Sequence, residues 1–334
     1  MSKARSDYSW APLLLAAEKG YEEVVKLLLD KGVDVNTQGG QFGNALQAAS
    51  FGGHEQVVNL LLDKGANIHA QGGYFGNALQ AASAGGYKQV VKLLLNESAN
   101  VNAQGGCYGN VLQAASAGGK NEVVKLLLDN GANVHAQGGY FGNALQAASA
   151  GGYKQVVKLL LDEGANVNTQ GGYFGNALSA VSHRGHKQVA ELLLNEGANV
   201  NAHDGDYGNP LQAASFEGHE QVVKLLLDRG ADIHARGGHF GNALQAASSE
   251  GHEQVVILLI DKGANVNTQG GYFGNALQAA SAGGHEQVVK LLLNEGANVN
   301  AQGGRFYNAL QAASFEGHDR LMKLLLDKGA DVNT

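Results

Sequence analysis

The residues that could do chemistry are histidines, a lone cysteine and a glycine-rich loop. His219, His252 and His285 stand at one place in successive copies of a 33-residue period. Zinc draws its ligands to about 2 Å, whereas stacked helix layers lie about 10 Å apart. Neighbouring members of that column therefore cannot share an ion, and a structural role is expected. His183, His186, His203 and Asp204 form the densest cluster, placed to converge between a helix and the next loop. They fall in the most divergent copy of the period, which explains the cluster without a metal. Cys107 is the only cysteine and has no histidine in its own loop. It supports neither a disulfide framework, nor a cysteine zinc site, nor a nucleophile with its base. Gly72-Gly73-Tyr74-Phe75-Gly76 precedes a helix as a phosphate loop would, yet it lacks the Lys-Ser/Thr pair and follows no parallel strand. We expect no catalytic residue, no metal and no cofactor.

The elements that hold these residues are set by one recurring stretch, Gly43-Asn44-Ala45-Leu46-Gln47-Ala48-Ala49-Ser50. Asn44 returns as Asn77, Asn110, Asn143, Asn176, Asn209, Asn242, Asn275 and Asn308, always 33 residues on. A fixed period of that length means stacked supersecondary repeats rather than a globule. Asn44 is a helix N-cap, and Pro12 and Pro210 occupy the first helical position held elsewhere by Ala45. Small residues along the first helix allow close approach. After Gly53 a second helix begins at His54, and its Val57, Val58, Leu60, Leu61 and Leu62 are apolar nearly all round. Such a helix is expected to be sandwiched between its equivalents, with Glu55, Asn59 and Asp63 left to water. Gly65 suits a left-handed helix end, and the Gly72-Gly73 pair suits a reversal back to Asn77. Each repeat reads helix, turn, helix, hairpin.

Composition narrows the function class. A formal net charge of −7 argues against nucleic acid or an anionic membrane as the main partner. No apolar run spans a bilayer, and residues 1–10 lack the apolar core of a signal peptide. With one cysteine, these features favour the cytoplasm. Residues 1–10 form a polar lead-in with Trp10 placed to cover the first helix pair, and repeats start near 11, 44, 77, 110, 143, 176, 209, 242, 275 and 308. Residues 69–95 are identical to 135–161, two repeats on, which points to duplication of a two-repeat block. Neither end repeat is strongly polar, so we expect a piece of a longer chain.

Ala-Pro-Leu-Leu-x-Ala-Ala at the start, the Gly-His entry to the second helix, Val-Val-x-Leu-Leu-Leu, and Gly-Ala-Asp-Val-Asn ending at Asn333 resemble the ankyrin repeat. The resemblance covers residues 11–334 as ten repeats. It implies an all-α ankyrin solenoid, a rod on the order of 90 to 100 Å long. Hairpins and first helices would line a concave groove, with second helices behind. Asn-Ala-Leu-Gln stands where the family usually has Thr-Pro-Leu-His, and Gln-Gly-Gly-aromatic-Phe-Gly replaces the usual hairpin. Gln47 and its equivalents are placed to take over the hydrogen bonds of the family's histidine, and Ser179 is too short to do so. This style is similar to the ankyrin arrays of fungal NLR-like proteins, in which repeats act as the recognition region.

Comparing the repeats with one another separates frame from variable surface. The hairpin tip reads Gln41, Tyr74, Cys107, Tyr140, Tyr173, Asp206, His239, Tyr272 and Arg305. The end of the first helix varies as well, with Phe51, Phe216, Phe315 and His183 where other repeats have Ala or Ser. The next position carries Arg184, Glu217, Glu250 or Glu316 where others have Gly. The resemblance places both columns in the groove, so a protein or peptide partner is expected there, bound by a monomer. Tyrosines suit that role because they give large contact at low entropic cost. The charged repeats six to eight are expected to set specificity, and the Tyr and Ala-Gly surface of repeats three to five general adhesion. The second aromatic column, from Phe42 and Phe75 to Phe306, never loses its ring and is expected to be a packing ladder. A passive spacer and a designed consensus-like array are the rival readings.

Overall fold

The computed structural model describes residues 11–203 and 207–333. Two compact halves emerge: one runs to Asn166 and includes Gly171–Tyr173, the other comprises Val167–Gln170 and the chain from Phe174. Within each half, helix pairs such as Ala45–Gly52 with Glu55–Asp63 and Pro210–Phe216 with Glu220–Asp228 repeat at the period read from the sequence. Asn44 caps its helix by accepting from the Gln47 amide at 2.9 Å, and Asn77, Asn110 and Asn143 do the same. Gly53, left-handed at φ 74°, ends the first helix. Hairpins close by short antiparallel pairs, Gln38 with Asn44 and Gln104 with Asn110, or by single bridges such as Gly72 with Gly76.

The core lies elsewhere than the run of large aliphatic residues in the second helix suggests. First helices pack on first helices, and Ala45, Leu46, Gln47, Ala48, Ala49 and Ser50 are all buried. The leucine-rich second helix buries only Val57, Val58 and Leu61, and Leu60 and Leu62 stay half-buried. Size explains the reversal, because Ala and Ser let backbones approach on every side, while a leucine-rich helix keeps neighbours at arm's length.

Three kinds of side chain fasten one repeat to the next. Gln113 Nε2 donates to the carbonyls of Gly138 and Gly142, both at 3.0 Å, in the following hairpin. Gln80 and Gln278 reach the next hairpin in the same way. His54 Nε2 lies 2.8 Å from the Glu18 carbonyl of the previous helix pair, and His219, His252, His285 and His318 make the equivalent contact. Asn102 donates to the Gly131 carbonyl at 3.0 Å and accepts from the Asn133 amide at 2.8 Å, a clamp repeated at Asn36, Asn168, Asn201, Asn267 and Asn300. His69, His135 and His234 occupy this position in the remaining repeats.

Hairpins stack backbone on backbone, which is why glycine recurs there. A Cβ built on Gly43 (φ 97°) would sit 3.0 Å from the Gly72 carbonyl carbon and still closer to Gln47. Two side chains take positive φ where the other repeats have glycine, Ser98 at 67° in a helix-to-hairpin turn and Tyr307 at 67° in the final hairpin.

Candidate partner-binding face

Main-chain bonds join each hairpin tip to the next. The Tyr74 amide donates to the Gln41 carbonyl at 2.7 Å, Cys107 to Tyr74 at 3.0 Å, Tyr140 to Cys107 at 3.1 Å and Tyr173 to Tyr140 at 2.9 Å. In the second half Tyr272 donates to His239 and Arg305 to Tyr272, each at 2.9 Å. This ladder runs across the hairpins, so tip side chains stand beside one another whatever their type. Tyr140 and Tyr173 stack at 5.0 Å, and His239 and Tyr272 at 4.7 Å. Tyr74, Tyr140 and Tyr173 remain 56, 48 and 47% exposed. Cys107, hydrogen-bonded beside it, pushes the Tyr74 hydroxyl up to about 12, so that tip is a neutral donor at physiological pH.

Behind the tips runs the second aromatic column. Phe42 to Phe75 measures 6.2 Å, Phe75 to Tyr108 6.2 Å and Tyr108 to Phe141 6.5 Å, with interplanar angles of 4, 21 and 12°. These are offset-stacked rings. The expected packing ladder is present.

First-helix ends bear directly on that ladder. Phe51 lies across Phe42 and Phe75, at 5.1 and 4.7 Å, and Phe216 across Tyr207 and Phe240, at 5.7 and 4.5 Å. Both rings are half-buried by the chain's own aromatics, so only part of each is left for a partner. Phe315 rests on Phe306 at 5.5 Å and is 70% exposed.

The second half carries the charge. His183 sits between Phe174 at 5.3 Å and Tyr207 at 4.8 Å, with Nδ1 3.0 Å from Glu217 Oε1 but without hydrogen-bond alignment. Burial holds its pKa below the ordinary histidine value, against the pull of Glu217. Arg184 lies over the Phe174 ring at 5.7 Å, and Arg305 over Tyr272 at 5.3 Å while touching the Tyr272 hydroxyl. Glu250 is exposed. Asp206 and Trp10 fall outside the described residues, as does Asp204.

A family model for ankyrin repeats, three copies long, matches residues 2–72, 46–138, 78–171, 144–237 and 243–334. The chain belongs to the ankyrin-repeat family. No curated protein matches it. Ankyrin repeats are in general protein-protein interaction modules and not catalysts.

Sequence reasoning about this ankyrin-repeat chain missed two things. Ser179 is indeed too short to reach the next hairpin, but His203 Nδ1 lies 2.6 Å from the Gly208 carbonyl, a contact that needs a proton on Nδ1. His203 thus serves the carbonyl that glutamine serves elsewhere, and it does not join His183, which is enclosed by rings. Among the described residues no three His, Cys, Asp or Glu side chains are grouped to hold a metal, and no helix is long and apolar enough to cross a membrane. The tip ladder was the second omission, because main-chain bonds 33 residues apart leave no mark on residue type.

Proposed function

We propose that the chain binds another protein, or a peptide segment of one, on the face formed by the hairpin tips and the ends of the first helices. The observation that carries this reading is the combination of exposed, varied, aromatic tip side chains with a rigid main-chain ladder beneath them. Anchors whose backbone is already fixed lose little freedom on binding. The ring-rich tips of the first half supply adhesion, and His183, Arg184, Glu217, His239, Glu250 and Arg305 in the second supply discrimination, with Asp206 joining them by sequence position. In this reading the chain is the recognition region of a cytoplasmic protein of the fungal NLR-like kind. The alternative of a passive spacer predicts no dependence on the tips.

The test is selection of a displayed library of random twelve-residue peptides on the immobilised chain. Enriched peptides should lose binding at least about tenfold, some 1.4 kcal/mol, when Tyr140→Ala and Tyr173→Ala are combined, or when the charges of Arg184 and Glu217 are reversed. Loss instead on substitution of Lys92, Lys125 and Lys158 on the second helices would overturn the assignment.

A further inference from the structure

The aromatic ladder of the first half is covered in one place and open in two. Phe51 bridges Phe42 and Phe75, and those rings are buried to 1 and 7% exposure. One repeat on, the position of Phe51 is taken by Ala84, and after that by Ala117, both half-exposed. The rings they would cover, Tyr108 and Phe141, are correspondingly half-exposed. In the second half Phe240, beneath Phe216, is buried at 8%, whereas Phe273, between Ser249 and Ala282, is not; Tyr207 and Phe306, touched by Phe216 and Phe315 at 5.7 and 5.5 Å, stay half-exposed. The molecule therefore shows what fits such a place, an aromatic ring laid across two stacked rings about 5 Å from each.

We propose that the two open places, over Phe75–Tyr108 and Tyr108–Phe141, receive aromatic side chains of an extended peptide segment with one residue between them. This rests on the reading that the tip face binds peptide. Spacing favours it: the ladder repeats every 6.2 to 6.5 Å, and alternate side chains of a strand lie about 6.6 to 6.8 Å apart on one face. A helix about 10 to 12 Å wide would have to clear Tyr74, which stands edge-on to Phe75 and Tyr108 at 5.1 and 6.1 Å. Charge restricts the occupant further. Tip and first-helix-end positions of these repeats, Tyr74, Cys107, Tyr140, Ala84 and Ala117, include no Asp, Glu, Lys or Arg. A charged residue set down here would lose water and gain no counter-ion.

The probe is the blocked, uncharged peptide Gly-Ser-Phe-Thr-Phe-Ser-Gly, followed by the methyl resonances of Ala84 and Ala117 in the full chain. Ring-current shifts at both methyls are expected, with binding about tenfold tighter than for a peptide with two residues between its phenylalanines. Ala84→Phe with Ala117→Phe should remain folded, as Phe51 does in its own repeat, and abolish the shifts elsewhere on the ladder. Phe51→Ala should open a third place and favour a peptide with three alternating phenylalanines, a gain that does not depend on the filled variant folding. Equal binding of both spacings, tighter binding of a helical peptide with phenylalanines four apart, or undiminished binding to a folded, filled variant would each overturn the proposal. Library peptides that depend on Tyr140 and Tyr173 but bind the filled variant equally would leave the tip-face reading standing and remove the ring places.

Discussion

Replacing Gln113 with serine should uncouple two repeats at one seam. The side chain is fully buried, and its Nε2 serves the Gly138 and Gly142 carbonyls. Gly142 keeps a second donor, the Gly138 amide at 2.8 Å, so losing Gln113 there costs only an ordinary bond, about 1 kcal/mol. The Gly138 carbonyl loses the Gln113 donor, and leaving it unmet costs about 1 to 3 kcal/mol. One lost methylene adds about 0.8 kcal/mol. The sum, roughly 3 to 5 kcal/mol, is a large share of what joins adjacent repeats, whose stabilities combine by nearest-neighbour terms. Hydrogen exchange by mass spectrometry or NMR is the suitable assay, since a repeat array need not unfold in one step. Protection of the Gly138 and Tyr140 amides should fall about a hundredfold or more, while amides near Asn300 stay unchanged. Gln311→Ser, at an exposed position, should change protection less than about twofold. A loss below about fivefold at Gly138 would show that the glutamines fill space rather than fasten hairpins.

Three further outcomes can be checked. Ser98→Gly places glycine at φ 67° and should stabilise the chain by about 0.5 to 1 kcal/mol, read as a higher urea midpoint with unchanged slope; a loss would mean the serine side chain holds the turn. Ser116→Ala removes a buried hydroxyl without a partner and should be stabilising by about 1 kcal/mol, and destabilisation would reveal a hidden bond. Because burial lowers the His183 pKa, its unfolded form binds the proton first. Stability of the second half should therefore be full above pH 6.5 and decline as pH falls below that value toward the folded pKa. Glu217, Arg184 and His219 are the charged or titratable groups acting on it, and His183→Phe should flatten the decline; an unchanged profile would assign it elsewhere.

Much of the frame was legible because it is written in side-chain type. Asn44 announces a cap, Gly53 and Gly65 announce left-handed ends, and the constant ring from Phe42 to Phe306 announces a ladder. Burial was misjudged for the second helix, since hydrophobic content reports affinity for a core but not how closely helices approach, which Ala48 and Ala49 decide. The partner-binding face was legible only as variation. Nothing in the residue types at Tyr74 or Tyr140 marks the main-chain bonds that align them, and the openings at Ala84 and Ala117 became visible only when Phe51 was found lying on two rings.

The tip ladder also bears on how such a chain can change. Its bonds join peptide groups, so a tip residue can be rewritten without disturbing the joint that carries it, in the way type can be reset without recasting the press. Copying a block, as residues 69–95 and 135–161 record, inserts new letters in frame. The Asn and His clamp positions alternate through Asn36, His69, Asn102, His135 and Asn168, so copying two repeats there keeps the alternation, while Asn168 and Asn201, one repeat apart, both keep their clamps. A copied block of either length therefore meets seams that its neighbours can close.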